Sequence, residues 1–239
     1  MPNPERHELI EEENFEFDLE SFLSYKNPNM QRYNELIADV EKKTREKRWD
    51  RDALYSGIGE AYLDRGVLNP QQKNYRPELQ RVMNEKLRDK LLVELGGDSY
   101  FPVWFGVDTH IVVDRYLERS PENSNKTPSQ PFKIHDFRKR GEVKIIRVPA
   151  DMLDFVARIP DNSIDNFLMA GIDGAILPNE EYQEFLTREI VRATRLGGII
   201  FGAHWIAPTF LEKNPLVKNI TTEDVEDTGI GVYEKVEGK

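Results

Sequence analysis

The spacing of hydrophobic positions changes once along the chain, at Leu91. Before that point the period is helical. Tyr33, Leu36, Ile37, Val40 and Thr44 fall at i, i+3, i+4, i+7 and i+11, with Lys, Arg and Glu between them, so the spacing predicts a helix over residues 31–48. A second helical stretch runs from about Asp52 to Asp64, and Gly66 with the Asn69-Pro70 pair ends it. Pro77 suits the first turn of a third helix, with Leu79, Val82, Met83 and Leu87 on one face.

From Leu91 onward, short apolar runs alternate with helical stretches. Leu91–Leu95 reads as a buried strand that ends in the turn Gly96-Gly97. Ile111–Asp114, Val143–Val148, Ile164–Ala170 and Gly198–Gly202 are four more such runs. Helical spacing separates them. Met152, Phe155, Val156 and Ile159 mark one helix, broken by Pro160-Asp161-Asn162. Tyr182, Phe185, Leu186, Ile190 and Ala193 mark a longer one, with Asn179 to cap its start and Gly197 to end it. Phe210–Val217 reads as a last helix, and residues 220–236 have room for two more strands. Residues 118–133 are Ser, Pro, Asn and Lys without apolar periodicity and are expected to form a mobile surface loop. This alternation predicts an α/β domain with a mostly parallel sheet over residues 78–239, carrying an N-terminal helical cap over 21–77.

Composition narrows the class. The chain has 239 residues, of which 38% are hydrophobic and 32% charged, so it can build a sizeable core. The formal net charge is −10, which argues against nucleic acid or an anionic membrane surface as the main partner. The sequence has no cysteine, which excludes a disulfide framework, thiolate metal sites and thiol nucleophiles. Residues 1–20 carry seven Glu and one Asp against a single Arg, unlike a signal or transit peptide. They are expected to be a flexible acidic tail, with the aromatics of residues 15–23 docking the chain onto the core. No run reaches the ~18 apolar residues of a membrane span. A cytoplasmic protein is the expectation.

In an open parallel sheet, ligands bind at the carboxyl ends of the strands. Glu94, Gly96, Gly97 and Asp98 follow or end the first run, Asp114 the second and Asp151 the third. Gly171 and Asp173 follow the fourth, and His204 and Trp205 the fifth. Glycines let backbone approach a ligand. An acid after the second strand can accept from ribose hydroxyls, and one after the third from an exocyclic amine. The set describes a nucleoside-shaped site. It does not describe a pyrophosphate cradle, because Gly96-Gly97-Asp98 lacks the Gly-x-Gly-x-x-Gly spacing and Asp98 would repel a phosphate.

These residues also carry a family resemblance. Leu91–Asp98 (LLVELGGD) resembles the first motif of class I S-adenosylmethionine-dependent methyltransferases. Ala150–Asp165 (ADMLDFVARIPDNSID) is similar to their third- and fourth-strand motifs. Tyr182–Gly202 (YQEFLTREIVRATRLGGIIFG) resembles their helix that ends in Arg-x-x-x-x-Gly-Gly and runs into strand five. The resemblance covers roughly residues 78–236. It implies a Rossmann-like sheet of seven strands flanked by helices, and S-adenosylmethionine as cofactor. It implies contacts from Glu94, Gly96, Gly97, Asp98, Asp114, Asp151, Met152 and Ala170. The methyl acceptor is a small molecule or a protein, with the oligomeric state open.

The chain departs from the family pattern at several points. Only Gly96 and Gly97 remain of the usual Gly-x-Gly-x-Gly, and the short segment to Asp114 is aromatic (Tyr100, Phe101, Trp104, Phe105) and holds Pro102. Asp114 and Asp108 both compete as the acid of strand two. The helix after that strand is replaced by the loop 118–133. After strand four stands Ala170-Gly171-Ile172-Asp173 instead of an Asn/Asp-Pro-Pro-aromatic turn, which argues against methylation of a base or amide nitrogen. Asp173 or His204 could act as a general base, although a structural role suits each better. Asp165 reads as structural, Trp104 and Phe105 as core, and Arg138, Lys139, Arg140 and Lys144 as the solvated entry to a hairpin. No metal-ligand spacing and no Gly-x-Ser-x-Gly elbow occurs. Two functions therefore stand: a methyltransferase, or a non-catalytic relative that uses the same fold as a binding scaffold.

Overall fold

The computed structural model describes residues 17–46, 75–96, 102, 105–114, 136–140, 143–170, 179–203, 208–228 and 230–238. The predicted helix at Asp52–Asp64, the loop 118–133 and the acidic residues 1–16 lie outside the described residues. In chain order the elements are α1 (Leu19–Phe22), α2 (Met30–Glu46), α3 (Pro77–Leu87), β1 (Leu91–Leu95), β2 (Thr109–Val113), β3 (Asp136–Arg140) and β4 (Val143–Val148). There follow α4 (Met152–Ala157), β5 (Ile164–Ala170), α5 (Glu180–Ala193), β6 (Thr194–Ala203), α6 (Pro208–Glu212), β7 (Val217–Asn219), a 3-10 turn (Glu223–Thr228) and β8 (Ile230–Lys235).

The strands form one sheet in the order β3-β4-β2-β1-β5-β6-β8-β7. The five central strands, β4 to β6, are parallel, and β3, β8 and β7 are antiparallel to their neighbours. Chain connections run outward from β1 in both directions, which is the doubly wound, Rossmann-like arrangement. Seven strands match the expected number, although of the two expected within residues 220–236 only β8 forms there and β7 lies just before, and Asp136–Arg140 adds an eighth. Its run DFRKR has no apolar alternation, because it is an edge strand formed by folding back on β4, with Phe137 opposite Ile146.

Both faces of the sheet are covered, so the central strands carry apolar residues on both faces, with Glu94, His110 and Asn166 as buried polar exceptions. Val93, Leu95, Ile111, Val113, Ile146, Phe167 and Ile200 share one buried cluster with α4, α5 and the α2 residues Tyr33, Leu36 and Val40. Leu92, Val112, Val143, Ile145, Leu168, Ile199 and Phe201 share the other with Leu79, Met83 and Leu87 of α3. Pro77 stands at the start of α3 behind an extended Arg76, as a residue preceding proline must be. Phe17, Phe22 and Leu23 pack against the first cluster, as the docking reading of residues 15–23 required.

A buried polar knot fixes α2 to α5. Glu189 accepts hydrogen bonds from Asn27 Nδ2 at 2.9 Å, Tyr33 Oη at 2.7 Å and Arg192 Nε at 2.5 Å. Arg192 also donates to the carbonyls of Ile159 and Val156, and its guanidinium lies 4.3 Å above the Tyr25 ring. Lys235, at the end of β8, donates to the carbonyls of Arg192 and Thr194 and so satisfies the end of α5. The helix stops there, at Ala193, four residues before Gly197, because Thr194 is already extended. Gly197 (φ +75°) belongs instead to an irregular stretch of β6. The last helix is also shorter than predicted and ends at Glu212, with Val217 entering β7.

Burial pushes the Tyr233 hydroxyl up to about 12, helped by the carboxylate of Glu212 at 3.4 Å. The folded state thus favours the neutral phenol. Its contribution to stability is whole below about pH 10, the unfolded value, and is lost as pH rises from there towards 12. Tyr233→Phe should therefore flatten the fall in stability over that window in urea unfolding at successive pH values. An unchanged slope would contradict the assignment.

Candidate functional site

The strand order reverses between β1 and β5, so the crevice of this sheet opens at their carboxyl ends, at Gly96 and beyond Ala170. The strand ends on one side of it are laced together. Gly96 N donates to Val113 O at 2.9 Å, and Asp114 N to Val148 O at 3.3 Å. Gly96 has φ +77°, a left-handed conformation that a side chain would strain. The chain leaves β1 through this turn.

Asp114 is half-buried and directly follows the last residue of β2. Asp108 precedes the first. It is exposed, accepts from Thr109 Oγ1 at 2.8 Å and pairs with Lys144 at 3.4 Å. Of the two rival acids, only Asp114 stands on the carboxyl edge.

The other expected contacts fall in different places. Glu94 is completely buried and meets the equally buried His110 through a 2.8 Å hydrogen bond to Nε2. Asp151 caps α4, its Oδ1 accepting from the amides of Leu153 at 2.9 Å and Asp154 at 3.2 Å. It also receives the hydroxyl of Tyr182. Met152 opens α4, half-buried against the first core cluster. Beside it Asp154 has its carboxyl raised by burial, with the charge of Asp151 adding and Arg158 opposing. Ala170 ends β5 opposite Ala203. Gly97, Asp98, Gly171, Asp173, His204 and Trp205 lie outside the described residues. Asp165 is structural, as read: it accepts from Leu91 N and pairs with Arg195 at the amino edge. Phe105 is buried in the second core cluster.

Two residues that bind the expected acids have no site role in the sequence reading. His110 directly precedes the apolar run Ile111–Val113, and a polar residue so close to a buried run is the available signal. Tyr182 was counted only as an apolar helix position, and nothing local announced that its hydroxyl serves another element.

No family model matches the sequence, and no curated protein matches it. Solved structures are similar over part of the chain. A Galdieria sulphuraria protein assigned as a sarcosine dimethylglycine methyltransferase is 15% identical with a TM-score of 0.33, over 53% of this chain and 44% of that one. The chain thus spans less than half of that protein's length. A Haloferax volcanii structure of the Trm112 methyltransferase activator with its partner is 13% identical with a TM-score of 0.41, over 80% of this chain and 98% of that one. Spermidine synthase from Thermotoga maritima is 12% identical with a TM-score of 0.36, over 66% of this chain and 57% of that one. The class of fold is defined by this chain's own strand order, and it is Rossmann-like α/β. Among the described residues no helix is long and apolar enough to cross a membrane.

Proposed function

We propose that the chain binds S-adenosylmethionine at the carboxyl edge of β1, β2, β4 and β5 and transfers its methyl group to a small-molecule or protein acceptor. The observation that carries this reading is Asp114, a half-buried acid at the carboxyl end of β2, one strand from the left-handed Gly96 turn at the switch point. An acceptor for paired hydroxyls beside a glycine turn fits a nucleoside and needs no metal. The motifs at Leu91–Asp98, Ala150–Asp165 and Tyr182–Gly202 support the same cofactor.

The cofactor, when bound, supplies an electrophilic methyl group that leaves a sulfonium in an in-line displacement. This chain's residues bind, orient and exclude water. Asp114 holds the ribose hydroxyls, Gly96 and Gly97 let the backbone approach, and Met152 borders the base. Asp98 and Ala170 complete the proposed set of cofactor contacts. Glu94 and Asp151 act through the fold. Glu94 has no exposed surface, and Asp151 is committed to the start of α4. His204 or Asp173 takes a proton only where the acceptor carries one at working pH.

That two of the expected acids serve the fold favours the second reading, a non-catalytic scaffold. Calorimetric titration separates the two. The enzyme reading expects saturable binding of both S-adenosylmethionine and its demethylated product. No heat at about 1 mM ligand, a binding free energy weaker than about −4 kcal/mol, would leave the scaffold.

A further inference from the structure

A chain of hydrogen bonds runs from α2 to the start of α4 by way of α5. Asp39 of α2 accepts from Asn179 Nδ2 at 3.2 Å. Asn179 caps α5, its Oδ1 accepting from Tyr182 N at 3.1 Å. The Tyr182 hydroxyl lies 2.9 and 3.1 Å from the two carboxylate oxygens of Asp151, and 3.3 Å from the amide of Leu153. Asp151 in turn caps α4. Arg32 adds an exposed clamp from α2 onto Glu181 at 2.6–3.0 Å, a kind of pair that contributes little alone. Tyr182 is different, because it is completely buried and its hydroxyl needs a partner there.

The position of this hydroxyl is what matters. α4 begins just after β4, and α5 begins after the segment that leaves β5. In the sheet those strands are separated by β2 and β1. One buried phenol thus fastens together two segments that start on opposite sides of the crevice.

We propose that Tyr182 is a positioning residue that couples the two sides of the carboxyl edge, so that a ligand ordering the first turn of α4 also orders the first turn of α5. The proposal rests on the reading of this edge as an S-adenosylmethionine site. It adds that the cofactor side and the acceptor side communicate through Asp151 and Tyr182. Allosteric coupling of this kind needs a shared element that both sides bias, and the bond between the cap of α4 and the first turn of α5 is that element.

Hydrogen exchange on the full chain tests it with three proteins: the natural sequence, Tyr182→Phe, and Tyr33→Phe as a control. Tyr33, on α2, also has a buried hydroxyl against α5, but it meets Glu189 and Arg188 towards the other end of that helix. Without ligand, Tyr182→Phe should speed exchange at least fivefold in the first turns of both α4 and α5, and Tyr33→Phe should speed neither. With S-adenosylhomocysteine, the natural sequence should gain protection in both turns. Tyr182→Phe should keep the gain at α4 and lose it at α5. Equal protection of α5 in the two proteins, or unchanged exchange without ligand, overturns the proposal. If the ligand protects nothing in the natural sequence, the cofactor reading fails, and the fastening role stands or falls on the ligand-free comparison. Should Tyr182→Phe not fold, Asp151→Asn carries the same two readouts, since it keeps a cap acceptor and weakens the bond from the phenol.

Discussion

Asp114→Ala should weaken S-adenosylmethionine binding at least tenfold while the protein melts within a few degrees of its original temperature. A carboxylate that accepts from two hydroxyls makes charge-assisted bonds worth about 1.5–3 kcal/mol each, and about 1.4 kcal/mol is a factor of ten. Asp114 is half-buried beyond the last residue of β2, and truncating it removes no apolar core side chain. Asp108→Ala is the matched control. It removes an exposed acid from the amino end of the same strand, far from the crevice, and should leave affinity unchanged. Loss of binding with Asp108→Ala and none with Asp114→Ala would reverse the assignment of the ribose acid.

The largest effect on stability is expected from Gly198→Ala. Where β5 meets β6, Ile164 pairs with Thr194, and the next pair is Asn166 with Ile199. A single residue of β5 therefore faces four of β6. The bulge folds so tightly that a Cβ on Gly198 would sit 2.1 Å from the carbonyl oxygen of Asp165 and 3.0 Å from Thr194 Cγ2. The first of these is backbone in a central parallel pair and cannot swing aside. The loss should be about 3–5 kcal/mol, the range of the most damaging single changes. Gly197→Ala is different in kind. At φ +75° a Cβ would meet nothing within 4 Å, so only the left-handed backbone is strained, for about 1–2 kcal/mol. Urea midpoints of the two variants read the difference directly. Equal losses would mean that the bulge does not have this shape.

These two glycines also show where sequence reading succeeds and where it stops. The pair was visible as part of a motif, and Gly197 was read as a helix terminator because glycine after a periodic run usually is one. The helix ends earlier, since the carbonyls of Arg192 and Thr194 are taken by Lys235, which lies 41 residues beyond Thr194. Local features were legible wherever their cause was local. Pro77 opened a helix, Asn179 capped one, and the apolar runs became the central strands. Features caused by distant partners were not. β3 exists because β4 pairs with it. Glu94 stands near a strand end, and nothing near it in sequence announces its buried bond to His110. Asp151 stood where an acid should stand, and its engagement with Tyr182, 31 residues on, belongs to packing rather than pattern.

The sheet order sets a problem of timing. β8 is made last, yet it lies inside the sheet, between β6 and β7. β7 pairs with β8 alone, so when its residues are synthesised they have no neighbour to join. Until β8 arrives, β6 presents a long apolar margin with its hydrogen-bonding groups open on one side, the kind of edge that recruits strands from other molecules. A released chain that lacks β8 leaves this margin of β6 without its closing segment. Early chain termination between residues 220 and 230 would therefore leave not a shortened protein but a sticky one.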